Sequence, residues 1–226
     1  IILTADRPSA LIDQADGQTI RQKDLYANYI KAAYQLSDDA ANGTDPQTVV
    51  KGIHEALSGH KGPVHFNLPF NEPLYELAEN AEAVKIDTPV AVKRESEVPA
   101  ELTELWQAST KKLVLCGHLP DEKLLYKLEQ LASDPSVAIV TENTSNLPSP
   151  KFNNCIDRLI SSFSENEVHD FIPEILVTIG ENIVSKKIKA LFREHPPQHH
   201  WNIDPTPEQP NTYGALTKEL NCTPLA

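Results

Sequence analysis

Arg7 stands where a short apolar run, Ile1-Ile2-Leu3-Thr4, gives way to Ala5-Asp6-Arg7-Pro8, and a second polar stretch, Asp16-Gly17-Gln18-Thr19-Ile20-Arg21-Gln22, follows it. A guanidinium at the carboxyl end of a strand is placed to hold an anion, because side chains converge there and its fork of N–H donors matches a carboxylate. Pro8 lacks a backbone N–H and disfavours helix at Arg7, so the chain must turn instead of carrying the strand onward. The alternative for Arg7 is a structural pair with Asp6 or Asp13. A second cation, Lys186, ends the stretch Gly180-Glu181-Asn182-Ile183-Val184-Ser185-Lys186, which follows an apolar run at 175–179 and opens a helical pattern. A helix start offers N–H donors and partial positive charge, to which Lys186 adds a full one. Its alternative is a solvated lysine beside Lys187 and Lys189.

Other residues invite chemistry less. His195, His199 and His200 crowd around Pro196-Pro197, yet their spacing lacks a zinc signature, and no metal is assigned to them. His65 lies in an alternating strand and reads as a half-buried core histidine hydrogen-bonded to backbone. Asp157-Arg158 reads as a structural pair. No Ser/His/Asp order, phosphate loop or DNA-reading motif is present, and the glycine pattern around Gly180 is not a dinucleotide fingerprint.

The elements that must carry these residues alternate. Leu25, Tyr29, Ala32, Ala33 and Leu36 recur at helical spacing and predict a helix; Asp45-Pro46 caps a second one carrying Val49, Val50, Ile53 and Leu57. Gly59 and Gly62-Pro63 stop it ahead of a strand over 64–68. Between Pro69 and Pro99 the chain is proline-rich and acidic without periodicity, which predicts an extended linker over 76–97. Beyond it the pattern predicts helix 102–108, strand 113–116, helix 121–131 capped by Asp121, strands 137–140 and 175–179, helix 185–192 capped by Ser185, and strand 199–203. The fold class is therefore α/β with parallel-sheet domains, a partial one over 1–75 and a doubly wound, Rossmann-like one over 98–226. No internal repeat is legible.

Composition narrows the function classes. The chain has 226 residues, 40% of them hydrophobic, and a formal net charge of −12. That charge argues against nucleic acid as partner, since binding it needs a basic face. No apolar run reaches the roughly 20 residues that span a bilayer, so no membrane insertion is expected. Cys116, Cys155 and Cys222 are odd in number and widely spaced, which suggests neither a disulfide framework nor a zinc site and points to the cytoplasm. The absence of Met, together with a first residue already inside a strand pattern, predicts an excised piece.

LTADRP, the GQTIRQ loop and Gly62-Pro63-Val64-His65-Phe66-Asn67-Leu68-Pro69-Phe70-Asn71-Glu72-Pro73, in this order, resemble the thiamine-diphosphate-dependent 2-succinyl-5-enolpyruvyl-6-hydroxy-3-cyclohexene-1-carboxylate (SEPHCHC) synthases of menaquinone biosynthesis. The GPV strand recurs across thiamine-diphosphate enzymes; the pairing of ADRP with GQTIRQ narrows the resemblance. It implies that 1–75 is the C-terminal half of a pyrimidine-binding domain and 98–226 most of a central domain. The pyrophosphate-binding domain with its Mg²⁺ motif, and the glutamate that contacts the aminopyrimidine, would be absent. The implied activity is a transferase reaction in which 2-oxoglutarate is decarboxylated and its succinyl-semialdehyde unit added to isochorismate. Thiamine diphosphate and Mg²⁺ would serve as cofactors, in a homodimer or homotetramer of the full-length chain. This piece alone would be inactive, with no catalytic residue and unknown cofactor-binding residues. Arg7, Gly17, Gln18 and Lys186 would bind substrate. The family's asparagine before the glutamine is Gly17 here, which suits a tight or positive-φ backbone but removes an amide; either a backbone N–H substitutes or a contact is lost. The alternative for Gln18 is a plain turn residue. The alternatives for function are an acetolactate-synthase-like carboligase, which a flavin-type central domain would favour, or a central domain acting only as a regulatory or scaffolding module.

Overall fold

The computed structural model describes residues 1–37, 46–71, 98–119, 123–205 and 210–225. The chain divides into two compact units, 1–91 and 92–226. The linker expected over 76–97 and the caps expected at Asp45 and Asp121 lie outside the described residues.

In the first unit, strands β1 (Ile2–Asp6), β2 (Ala32–Gln35) and β3 (Val64–Pro69) form an all-parallel sheet in the order β1-β3-β2. The helix expected through Leu25–Leu36 is not formed. A single 3₁₀ turn, Ala27–Tyr29, leads directly into β2. Pairing overrides the helical spacing: as a strand, Ala32 and Tyr34 join the apolar face of β3, and Tyr34 stacks on Phe66 at 5.3 Å. Helix α1 (Pro46–Leu57), opened by proline as expected, covers that face over Val64 and Phe66. It does so through Gly52, where a Cβ would sit 2.3 Å from the Phe66 ring.

The second unit holds β4 (Lys112–Cys116), β5 (Val137–Thr141), β6 (Ile175–Ile179), β7 (His199–Ile203) and β8 (Leu216–Leu220), all parallel in the order β5-β4-β6-β7-β8. Two helices, α2 (Ala100–Ala108) and α3 (Leu124–Leu131), pack on one face with Val114, Val177 and Trp201. The opposite face, carrying Leu113, Leu115 and Leu176, is covered by α4 (Ile156–Ser161), α5 (Glu165–Phe171) and α6 (Lys186–Glu194). Near-continuous apolar strands buried on both faces are what a parallel sheet requires. The doubly wound expectation holds. Three elements escaped the sequence reading: α4 and α5, each under eight residues, and β8, whose alternating Leu-Thr-Lys-Glu-Leu is half-exposed.

β6 and β7 are tied by side chains as well as backbone. Thr178 lies opposite Asn202 and donates to its Oδ1 at 2.7 Å, while His200 Nε2 lies 2.9 Å from the same hydroxyl. The hydroxyl has one proton and spends it on Asn202, so His200 must donate through Nε2–H. Its Nδ1 and the hydroxyl of Tyr213, whose ring packs 5.2 Å away, are both buried without a hydrogen-bond partner among the described residues. Burial that water cannot relieve pushes the His200 imidazole down to about 4. The folded state thus keeps His200 neutral, whereas the unfolded chain takes up a proton below about pH 6.5. Stability from this group is complete above about pH 6.5 and is lost as pH falls towards 4, amounting to about 3 kcal/mol. The urea midpoint is expected to fall between pH 7 and 4.5, and a His200→Gln variant, lower at neutral pH, to show a flatter profile; equal slopes would refute the assignment.

Candidate functional site

At the carboxyl end of β1 the sheet turns polar. Thr4 lies opposite Asn67 in the β1–β3 register and donates to its Oδ1 at 2.7 Å; His65 Nε2 lies 2.7 Å from the same hydroxyl. Asn67 spends both amide protons, on Asp6 Oδ2 at 2.7 Å and on Gln35 Oε1 at 2.9 Å. The other Asp6 oxygen accepts from the Arg7 backbone N–H at 2.9 Å. His65 and Asn67 are 1% and 2% exposed, so these bonds replace water fully. His65 is therefore no half-buried histidine on a backbone partner, as the sequence suggested. It is fully buried, held by the Thr4 side chain under the edge of Tyr26 at 5.0 Å, and burial lowers its proton affinity.

Arg7 emerges half-buried from this base. Its Nε lies 3.7 Å from Asp16, which neither of the expected pairings, Asp6 or Asp13, supplies. Asp13 is taken by Arg21 at 3.1 Å. The Arg7–Asp16 contact brings the Arg7 turn to the start of the Gly17-Gln18 stretch, whose other end is fixed by Gln22 Nε2 on the Ala5 carbonyl at 2.8 Å. Arg7, Gly17 and Gln18 thus belong to one exposed loop cluster at the strand end. Within that loop Asp13, Ala15, Gln18 and Asp24 all adopt left-handed backbone, with φ of 62°, 58°, 64° and 60°. Each costs about 1 kcal/mol for a residue with a Cβ, and such strain gathers at binding sites.

The glycine does not bear that strain. Gly17 keeps a negative φ, and a Cβ built on it meets nothing within 4 Å, so neither a turn nor a close approach requires glycine there. The left-handed residue is its neighbour Gln18, which correspondingly displays an exposed side chain.

Lys186 lies in the second unit, exposed in the first turn of α6. Ser185 caps this helix as expected, accepting from Ile188 N–H and donating to Asp157, which gives Asp157 a structural role. The donors just ahead of the helix are already engaged. Glu142, half-buried after β5, accepts from Val184 N–H at 2.7 Å and from Ser185 N–H at 2.6 Å. No spacing in the sequence links Glu142 to residue 184, and only the fold could reveal it.

A ligand crevice is expected at the switch point between β4 and β6, from which the sheet is built out in both directions. Here the two loops are zipped together. Gly117 N–H reaches Ile179 O at 2.9 Å, and His118 and Glu181 exchange backbone bonds of 3.1 and 2.9 Å. A Cβ at Gly117 would lie 1.8 Å from Glu181 O, and Gly180, at φ +84°, leaves only 2.6 Å to His118 O. His195, His199 and His200 do not converge, and no group of three metal-ligating side chains exists among the described residues.

Two all-parallel α/β units along the chain, with polar side chains gathered at the carboxyl end of β1, define a protein of the multi-unit α/β class. No family model matches the chain. It is 38% identical over 229 residues to the SEPHCHC synthase of Flavobacterium johnsoniae, covering 99% of this chain and 41% of that protein. It is 37% identical to the same enzyme of Flavobacterium psychrophilum and 32% to that of Desulfotalea psychrophila, each over 99% of this chain and over 40% and 43% of theirs. The chain is thus similar to SEPHCHC synthases over nearly its whole length and spans about two fifths of the length of the curated relatives it matches.

Substitutions at Gly17, Gln18 and Glu142 test this geometry. Gly17→Asn is expected to leave thermal stability within about 0.5 kcal/mol, and Gln18→Gly to raise it by about 1 kcal/mol; a large loss with Gly17→Asn would refute the open environment. Glu142→Ala is expected to cost about 2 kcal/mol in urea unfolding, because Val184 and Ser185 lose charged acceptors, with Glu142→Gln in between.

Proposed function

We propose that the complete protein is a SEPHCHC synthase, transferring the succinyl-semialdehyde unit of 2-oxoglutarate to isochorismate, and that this chain contributes substrate-binding surface. The similarity over nearly the whole chain carries the reading. Its support in the geometry is the strained, charged loop that presents Arg7 at the carboxyl end of β1. In this reading 1–75 is the C-terminal half of a pyrimidine-binding domain and 98–226 most of a central domain, in a soluble cytoplasmic homodimer or homotetramer. Among the described residues no helix is long and apolar enough to cross a membrane.

Thiamine diphosphate, with Mg²⁺, would supply the carbanion chemistry. The described residues offer no cluster of three metal-ligating groups to a metal-bound diphosphate, so none is assigned to the cofactor. Their proposed work is binding. Both substrates are polyanions, and in a protein of net charge −12 they need local cations. Arg7 would take a carboxylate through its fork, Gln18 would present an amide able to donate and accept, and the open backbone at Gly17 would leave room for substrate. Lys186 would reach a second carboxylate as a point charge. The zipped switch point speaks against a flavin-type central domain and hence against the acetolactate-synthase-like alternative.

The test is an assay of the complete protein with thiamine diphosphate, Mg²⁺, 2-oxoglutarate and isochorismate, following isochorismate loss. Turnover is expected to require all four. Arg7→Ala and Lys186→Ala are each expected to lower kcat/KM by about a hundredfold, the scale of a lost charged contact. Unchanged kinetics in both variants would overturn the binding roles, and decarboxylation without isochorismate loss would overturn the substrate.

A further inference from the structure

We propose that Asp6 is a positioning residue for Arg7, held in place by a directional hydrogen-bond chain that runs through the sheet from His65. The inference rests on the reading of Arg7 as a substrate-binding residue.

The chain has a single consistent polarity. Thr4 has one proton and gives it to Asn67 Oδ1, so His65 must donate to Thr4 through Nε2–H. Asn67 passes the sense onward, donating from Nδ2 to Asp6 Oδ2 and Gln35 Oε1. The amide orientation is fixed, because flipping it would turn its oxygen towards a carboxylate and a carbonyl. Every donor on the path points towards the Asp6 carboxylate, an arrangement in which successive bonds strengthen one another. The carboxylate's second oxygen receives the Arg7 N–H at 2.9 Å. Asp6 therefore spends itself on the main chain of Arg7 and on Asn67, and the guanidinium is directed over the loop towards Asp16.

The second unit provides an internal control. Thr178, His200 and Asn202 repeat the same contacts in the same register between β6 and β7. Tying two parallel strands thus needs only the threonine, histidine and asparagine. The position equivalent to Asp6, two residues after the threonine, is Gly180, and the residue after it, Glu181, gives its backbone N–H to His118 O. An acid at this point is an addition peculiar to the unit whose next residue is the cation. Asp6 is not needed for the lock, which leaves the Arg7 turn as what it serves.

Asp6→Ala, Arg7→Ala and the double variant, made in the complete protein, test this through KM and kcat for isochorismate together with the thermal midpoint. Asp6→Ala is expected to raise KM about tenfold and to change kcat less. Asp6→Asn, whose amide oxygen can still accept from Arg7 N–H but whose NH₂ then faces the Asn67 donor, is expected to recover only part of the loss. In the Arg7→Ala background Asp6→Ala should add nothing further to KM, because it acts through the residue already removed. Should Asp6→Ala fail to fold, Asp6→Glu retains the charge but displaces the oxygens, and a rise of several-fold is expected. Unchanged KM with a lowered thermal midpoint, or effects that multiply in the double variant, would overturn the positioning role. Should Arg7→Ala leave KM unchanged, the Arg7 reading fails first and the role of Asp6 falls with it; a KM effect confined to Arg7→Ala defeats Asp6 alone.

Discussion

A threonine on one strand, facing an asparagine on the neighbouring parallel strand with a histidine two residues ahead of it, ties the two strands together in each unit. The threonine hydroxyl, the asparagine Oδ1 and the histidine Nε2 satisfy one another where water is excluded, with His65 and His200 each 1% exposed, and only His200 Nδ1 is left over in the second unit. Polar groups buried this way stabilise only when complete, since each unmet donor or acceptor costs about 1–3 kcal/mol. The arrangement therefore fixes register: sliding either strand by one residue would face threonine with an apolar side chain and strand all three partners. With register set, the residues that follow the threonines are delivered to the carboxyl edge at defined places. In the first unit these are Asp6 and Arg7, and in the second Gly180 and Glu181.

What comes next separates the units. After Asp6, the chain enters a loop whose non-glycine residues accept left-handed backbone and whose ends are pinned by Asp16 and Gln22. After Gly180, the backbone folds directly against Gly117-His118 and closes the switch point. One strand-pair device thus supports an open, strained, charged rim in one unit and a sealed edge in the other. The strain at Gln18 and its neighbours is tolerated because the flanking anchors over-determine the loop, and the buried lock beneath Asp6 supplies one of them.

Much of this was legible in the sequence, for identifiable reasons. Strands buried on both faces announce themselves as apolar runs, so β3, β4, β5, β6 and β7 were placed within a residue or two, and α1 and α6 carried proline and serine at their starts. β2 escapes the periodicity because Ala32 and Leu36 satisfy a helical period as well as a strand's, and only the apolar face of β3 decides between them. The lock itself left a trace in His65-Phe66-Asn67 and His200-Trp201-Asn202, but a repeated histidine-x-asparagine means nothing until each is paired with a threonine some 20 or 60 residues away. Arg7, Gln18 and Lys186 were recognisable as exposed polar residues after strands, whereas Asp16 and Glu142, their acidic surroundings, required the fold.

Those acidic partners decide which cations remain usable for an anionic ligand. The Arg7–Asp16 pair is partly exposed and long, at 3.7 Å through Nε, and contacts of that kind are worth about 0–1 kcal/mol. In the proposed reading, a carboxylate taking the guanidinium bidentately would gain more than the Arg7–Asp16 contact contributes. Glu142 is different. It binds two main-chain N–H groups at 2.6–2.7 Å, each bond to a charged acceptor being worth about 1.5–3 kcal/mol, and those donors cannot turn towards a ligand. The ground just ahead of α6 is thus already occupied by a carboxylate that an incoming one would not dislodge. Whatever Lys186 contributes to anion binding must come from its own flexible ammonium, projecting beyond a helix start whose neighbouring positive potential Glu142 has largely neutralised.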